Sequence, residues 1–118
     1  MKLMSRRGLI SHDGSYVYLC NNIPSPSSLF ADVWYTGYEK IGPAYYIERK
    51  NMPTHLLTCT LSGRGVLKYQ GKTVILKKGD VSLISCHAHH VFYPADDSWE
   101  IAFLHFDGVQ LPPLYEAF

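Results

Sequence analysis

No two cysteines in the 118-residue sequence have the C-x-x-C spacing of a zinc knuckle or dithiol site, and those present, Cys20, Cys59 and Cys86, are odd in number. Two of them sit in apolar runs, where a thiol behaves as a small buried hydrophobe, so a reduced, cytoplasmic setting is expected. An excess of one charge is also lacking. Lysine and arginine number 11 against 10 for aspartate and glutamate, with no basic block, which argues against a nucleic-acid surface within these residues. No stretch approaches the roughly 18 apolar residues of a membrane span. The opening MKLMSRRGLI runs into His12-Asp13-Gly14 rather than a signal-peptide core, so a soluble chain that is not exported is expected.

Amphipathic helical windows are missing as well, and no Gly-x-Ser-x-Gly elbow surrounds Ser62, Ser85 or any cysteine. Gly63-Arg64-Gly65 is a poor phosphate loop because it joins two strands instead of opening a helix, and a tight hairpin with positive φ is expected there. What remains is a succession of short apolar runs. With 47% hydrophobic residues, the chain is expected to build one core without disulfides or metal.

The organising stretch is residues 58–93, in which turn signals at 63–65, Gln70-Gly71 and Lys78-Gly79-Asp80 separate strand-like runs. Strands are expected at 15–20, from Ala31 to about residue 40, and at 44–49, 55–61, 65–69, 72–76, 81–84, 89–93 and 99–106. Turn signals every 8 to 12 residues or so, without helices, define an all-β sandwich or barrel. In 55–61, Leu57, Cys59 and Leu61 make one face uniformly apolar, alternating with Leu56, Thr58 and Thr60. The proline- and serine-rich 21–28 is a loop, and the front segment is expected to lie as an arm on the body. Pro112-Pro113 ends the strand pattern, and 114–118 could begin a helix, as if the chain were cut from something longer.

Six histidines, three of them His87, His89 and His90, invite a metal reading. Strand alternation puts His87 and His89 on one side and His90 on the other. The opposing strand offers only His55, with Glu48 behind it, short of the three or four ligands that zinc or iron requires. These histidines are therefore expected to line a pocket and form hydrogen bonds, with no metal, no cofactor and no catalytic residue. On the last strand Trp99, Ile101, Phe103 and His105 share a face opposite Glu100, Ala102, Leu104 and Phe106. Two large aromatics with one imidazole suit either plain core or a small-molecule pocket.

Gly79-Asp80, residues 81–84, His90 and Pro94 resemble the second sequence motif of the cupin superfamily. More narrowly, LLTCTLSGRGVLKYQGKTVILKKGDVSLISCHAHHVFY, followed by Trp99 and Leu104-His105-Phe106-Asp107-Gly108, is similar to the N-terminal ligand-binding domain of AraC-type bacterial transcription regulators. Two departures are visible. The first cupin motif, a histidine pair followed by a glutamate, is replaced by Glu48-Arg49-Lys50-Asn51-Met52-Pro53-Thr54-His55, and the prolines usual around Ser85-Cys86 are absent.

The resemblance implies a cupin-like barrel, a double-stranded β-helix or jelly-roll, with residues 1–28 as an N-terminal arm and 29–118 as the effector-binding domain. It implies a small-molecule effector, a sugar or another metabolite, held by Arg49, His90, Phe92, Trp99, Ile101, Phe103 and His105, with Glu48 as an alternative to Arg49. A homodimer is implied, and DNA is expected to be met only through a C-terminal helix-turn-helix domain outside this chain. Ile101 and Phe103 make the expected pocket apolar for a free sugar, whose hydroxyls need partners. The alternatives are a small metal-dependent cupin enzyme acting on a sugar or organic acid, and a stand-alone binding or dimerisation module.

Overall fold

The computed structural model describes residues 3–7, 10–19, 32–107 and 116, with the backbone alone described through Asp32. Eight strands follow in order: β1 (Leu3–Arg7), β2 (Ile10–Leu19), β3 (Asp32–Ile41), β4 (Tyr46–Arg49), β5 (His55–Tyr69), β6 (Lys72–Lys77), β7 (Val81–Ser85) and β8 (His90–Asp107). The loop expected over 21–28, the stop at Pro112-Pro113 and the helix start at 114–118 lie outside the described residues, Glu116 excepted. Among the described residues no helix is long and apolar enough to cross a membrane.

Two long antiparallel strands, β5 and β8, run through the whole molecule and divide it into two halves. The first half of β5 pairs with β7 and with the second half of β8, which continues to β3 and then β2. The second half of β5 pairs with β6 and with the first half of β8, which continues to β4 and then β1. Each half therefore has five strands, and inward side chains from both meet in one core that includes Ile41, Ile47, Leu67, Leu76, Ile84, Phe92, Trp99 and Phe103. This is the jelly-roll arrangement, but the ladders among the described residues leave edges and form an open, bent sheet instead of a hydrogen-bonded closed barrel.

The hairpin expected at 63–65 is absent: β5 continues through it, as β8 continues through residues 94–98. Register shifts fall between Thr60 and Ser62 and between Gly63 and Gly65, so the glycines mark bulges that bend the strand. Gly63 has φ +68°, and a Cβ there would lie 1.9 Å from the Ser98 carbonyl oxygen. A Cβ on Gly65 would lie 2.2 Å from the Trp99 ring. The missing side chain is thus what lets the indole, fully buried, enter the core, where its Nε1–H donates to Thr60 Oγ1 at 3.2 Å. The true hairpin is at Gln70-Gly71, where both residues have positive φ.

On β5 the inward face is Leu56, Thr58 and Thr60, while the apolar set of Leu57, Cys59 and Leu61 points outward. Leu57 pairs with Leu83 and Leu104, and Cys59 with Val81 and Ala102, so the outer face of this half carries an apolar stripe.

Candidate functional site

The two halves border a partly open cavity of about 50 Å³, lined from β3 by Tyr35 and Glu39, from the following turn by Tyr45, from β4 by Ile47 and Arg49, and from β5 by Leu56 and Thr58. Strand β8 contributes Phe92, Trp99, Ile101, Phe103 and His105. Strand alternation explains the set: on β4, Ile47 and Arg49 are buried while Tyr46 and Glu48, which alternate with them, are less so. Glu48, the alternative to Arg49, points away, and its Oε2 lies 2.6 Å from His89 Nε2 at the surface.

Of the residues expected to line a pocket, Arg49, Phe92, Trp99, Ile101, Phe103 and His105 come together around this cavity. His90 does not border it. It is fully buried behind Arg49, whose Nε–H donates to His90 Nε2 at 3.2 Å, while His90 Nδ1 lies 2.9 Å from the Ala88 carbonyl. A carbonyl only accepts, so Nδ1 carries the proton and Nε2 presents its lone pair to the arginine. Burial, with Arg49 adding to it, pushes the His90 pKa down to about 4, against a partly offsetting bond to Ala88, and the ring is neutral at pH 7.

His105 stands beside it in chemistry. Its ring stacks on Tyr35 with centroids 4.3 Å apart, and its Nδ1 lies 3.0 Å from Thr54 Oγ1. Burial first, then the positive charge of Arg49, brings its pKa down to about 3. Thr54 is placed by the 50–54 turn, which is fastened to the β7–β8 connection by backbone bonds from Asn51 to His87 (3.1 Å), Met52 to Cys86 (3.1 Å) and Cys86 to Thr54 (2.8 Å). Sequence reasoning missed Tyr35, Glu39, Tyr45, Ile47, Leu56 and Thr58 as lining residues. The signal available for Thr58 was its place, with Leu56 and Thr60, on one face of a strand whose other face is wholly apolar.

Arg49 is 6% exposed, and the bond to His90 is the sole hydrogen bond or ion pair of its side chain among the described residues. Glu39 borders the same cavity, buried, accepting from the Tyr45 hydroxyl at 3.4 Å. Among the described residues no group of three or more His, Cys, Asp and Glu side chains is arranged to hold a metal ion.

A bent jelly-roll whose two halves border a cavity of aromatic, apolar and a few buried polar groups has the architecture of a cupin domain. Solved structures share the shape at low identity: the protein YhaK from Escherichia coli (TM-score 0.68, 16% identity, 81% of this chain and 45% of that chain) and the cupin domain of Cnp3 from Schizosaccharomyces pombe (0.65, 10%, 96% and 75%). A predicted oxalate decarboxylase from Thermotoga maritima aligns with a TM-score of 0.58 at 20% identity, over 64% of this chain and 68% of that chain. No curated protein matches the sequence. The family model of the AraC-like ligand binding domain matches residues 35–116, and the chain belongs to that family.

Proposed function

We propose that this chain is the effector-binding part of an AraC-type bacterial transcription regulator, working in the cytoplasm. A small molecule enters the cavity between the two sheet halves and thereby biases DNA binding by a helix-turn-helix domain outside this chain. The observation that carries this reading is the cavity itself: buried polar groups converge on an aromatic lining in a domain of a ligand-binding family. Two copies pairing, and residues 1–28 acting as an arm over the effector, belong to the same proposal. The apolar share of the lining, with Ile47, Leu56, Ile101 and Phe103, supports a metabolite other than a free sugar.

A thermal-shift screen of metabolites tests it, because a ligand that binds only the folded state raises the melting temperature with the logarithm of its concentration. At least one compound is expected to stabilise the wild type and to lose its effect in a folded Phe103→Glu variant. Unaltered binding in that variant rules out the cavity, and a screen with no stabilising compound sinks the effector role.

The metal-dependent cupin enzyme is the alternative, supported by the predicted oxalate decarboxylase among the structures of like shape. His90, the histidine that aligns with the motif, has both ring nitrogens committed to Ala88 and Arg49, which leaves it no lone pair for a metal. Stoichiometric iron, zinc or manganese in the purified protein overturns the non-enzymatic assignment.

A further inference from the structure

A guanidinium this deeply buried ordinarily faces a carboxylate, because an uncompensated charge in a low-dielectric interior is costly. Arg49 has no such partner among the described residues, only the neutral His90. The bond to His90 uses Nε–H and thereby fixes the side chain where it borders the cavity. The groups that its charge perturbs are the His90 and His105 imidazoles and the Cys86 thiol, all neutral at pH 7. The guanidinium thus brings its positive charge to the cavity with no carboxylate in hydrogen-bond or ion-pair contact with it among the described residues. The remaining N–H donors of the guanidinium form the planar fork that matches a carboxylate.

We propose that the effector is a compact organic acid whose carboxylate is bound by Arg49. This rests on the ligand-binding reading above and narrows it to a chemical class. The volume, about 50 Å³, admits an acid of a few heavy atoms, or a larger one only if the walls move. The apolar part of the lining, Ile47, Leu56, Phe92, Ile101 and Phe103, favours a short apolar body behind the carboxylate. His90 is a positioning residue, because its neutral Nε2 holds the arginine without neutralising it.

The 118-residue chain is titrated with propionate, pyruvate and benzoate, with propionamide and benzamide as uncharged counterparts, at fixed ionic strength. Melting temperature and calorimetry are the readouts. The expected result is stabilisation by at least one acid, with an affinity at least about tenfold above its amide. That preference disappears in Arg49→Gln and is partly kept in Arg49→Lys. Should Arg49→Gln fail to fold, the Arg49 Nε–H resonance of the wild type serves instead, and it shifts on addition of the acid. Equal stabilisation by acid and amide, an acid effect that survives in Arg49→Gln, an unmoved Nε–H resonance, or no response to any acid overturns the proposal. If acids fail while a neutral metabolite binds in a Phe103-dependent way, the carboxylate assignment falls and the effector role stands. If nothing binds, both fall.

Discussion

Acidification from pH 7 to pH 5 should destabilise this domain through two buried imidazoles. His90 and His105 have folded pKa values of about 4 and about 3, set chiefly by burial, which the bond to Ala88 partly offsets for His90 and to which Arg49 and a neighbouring imidazole add in both. In the unfolded chain both titrate near 6.5. Below 6.5 the unfolded state therefore binds protons that the folded state refuses, so stability is full above that pH and falls as pH drops towards the folded values. At pH 5 each group has lost roughly 1.8 kcal/mol relative to pH 7, about 4 kcal/mol for the two, against a total of about 5–15 kcal/mol for a domain of this kind. His55, also shifted down by burial although Asp107 opposes it, adds in the same direction. Asp80, Asp96 and Glu100 are shifted down instead, so their contributions are lost only below this window. Urea midpoints measured at half-unit steps of pH check the slope, and His105→Asn, which retains a partner for Thr54, should remove about half of it. A midpoint that stays level from pH 7 to pH 5 in the wild type would show that these imidazoles are not held neutral, and the description of the site would fail with it.

Gly65→Ala places a methyl group 2.2 Å from the Trp99 ring and should cost about 1–3 kcal/mol of stability, with a change in tryptophan emission as the indole is displaced. An unchanged denaturation midpoint and spectrum would show that the ring does not occupy the space left by the glycine. Cys86 is fully buried and its thiol is pushed up by burial, whereas Cys59 is partly exposed. A Cys20→Ser, Cys59→Ser variant should therefore stay unreactive towards a thiol reagent until denaturant is added, and rapid native labelling would contradict that placement.

The strand pattern was legible because short apolar runs with turn residues between them admit little else, and the Trp99 face could be named because alternation holds along the second half of β8, from Trp99 on. Two features were not legible, for physical reasons. Glycines at 63 and 65 signal a backbone that needs positive φ or close approach, and a hairpin and a bulge make the same demand at the level of residue type. Only the pairing of β5 with β8 on both sides of the bend tells them apart. Burial on β5 runs against the hydropathy: the threonine-bearing face is inside because Thr60 holds the Trp99 indole and Thr58 borders the cavity, while Leu61 is outside. A strand whose less apolar face is buried is what a cavity with a few polar groups in its wall requires, and tertiary context alone reveals it. The choice between Glu48 and Arg49 was open for a similar reason. The register of a four-residue strand is fixed by its partner, here through Ile47 opposite Phe92 and Arg49 opposite His90.

The arrangement also bears on how an effector could act. Strands β3 and β4 carry four of the cavity's lining residues, Tyr35, Glu39, Ile47 and Arg49, and the same strands pair with β2 and β1 at their outer edges. The cavity wall and the N-terminal strands are therefore one hydrogen-bonded unit, and a ligand that favours one placement of β3 or β4 also biases what lies beyond them. It does so only by its difference in affinity for the two placements. Taking a two-state equilibrium from 1:99 to 99:1 needs a difference of about 5.5 kcal/mol. Neutral hydrogen bonds at about 0.5–1.5 kcal/mol each would have to be numerous to supply it, and this lining has few partners for them. Two charge-assisted bonds from Arg49 to a carboxylate, at about 1.5–3 kcal/mol each, reach about 3–6 kcal/mol from one contact. A cavity bordered by a guanidinium that no carboxylate contacts among the described residues is thus better suited to holding an acid than a polyol.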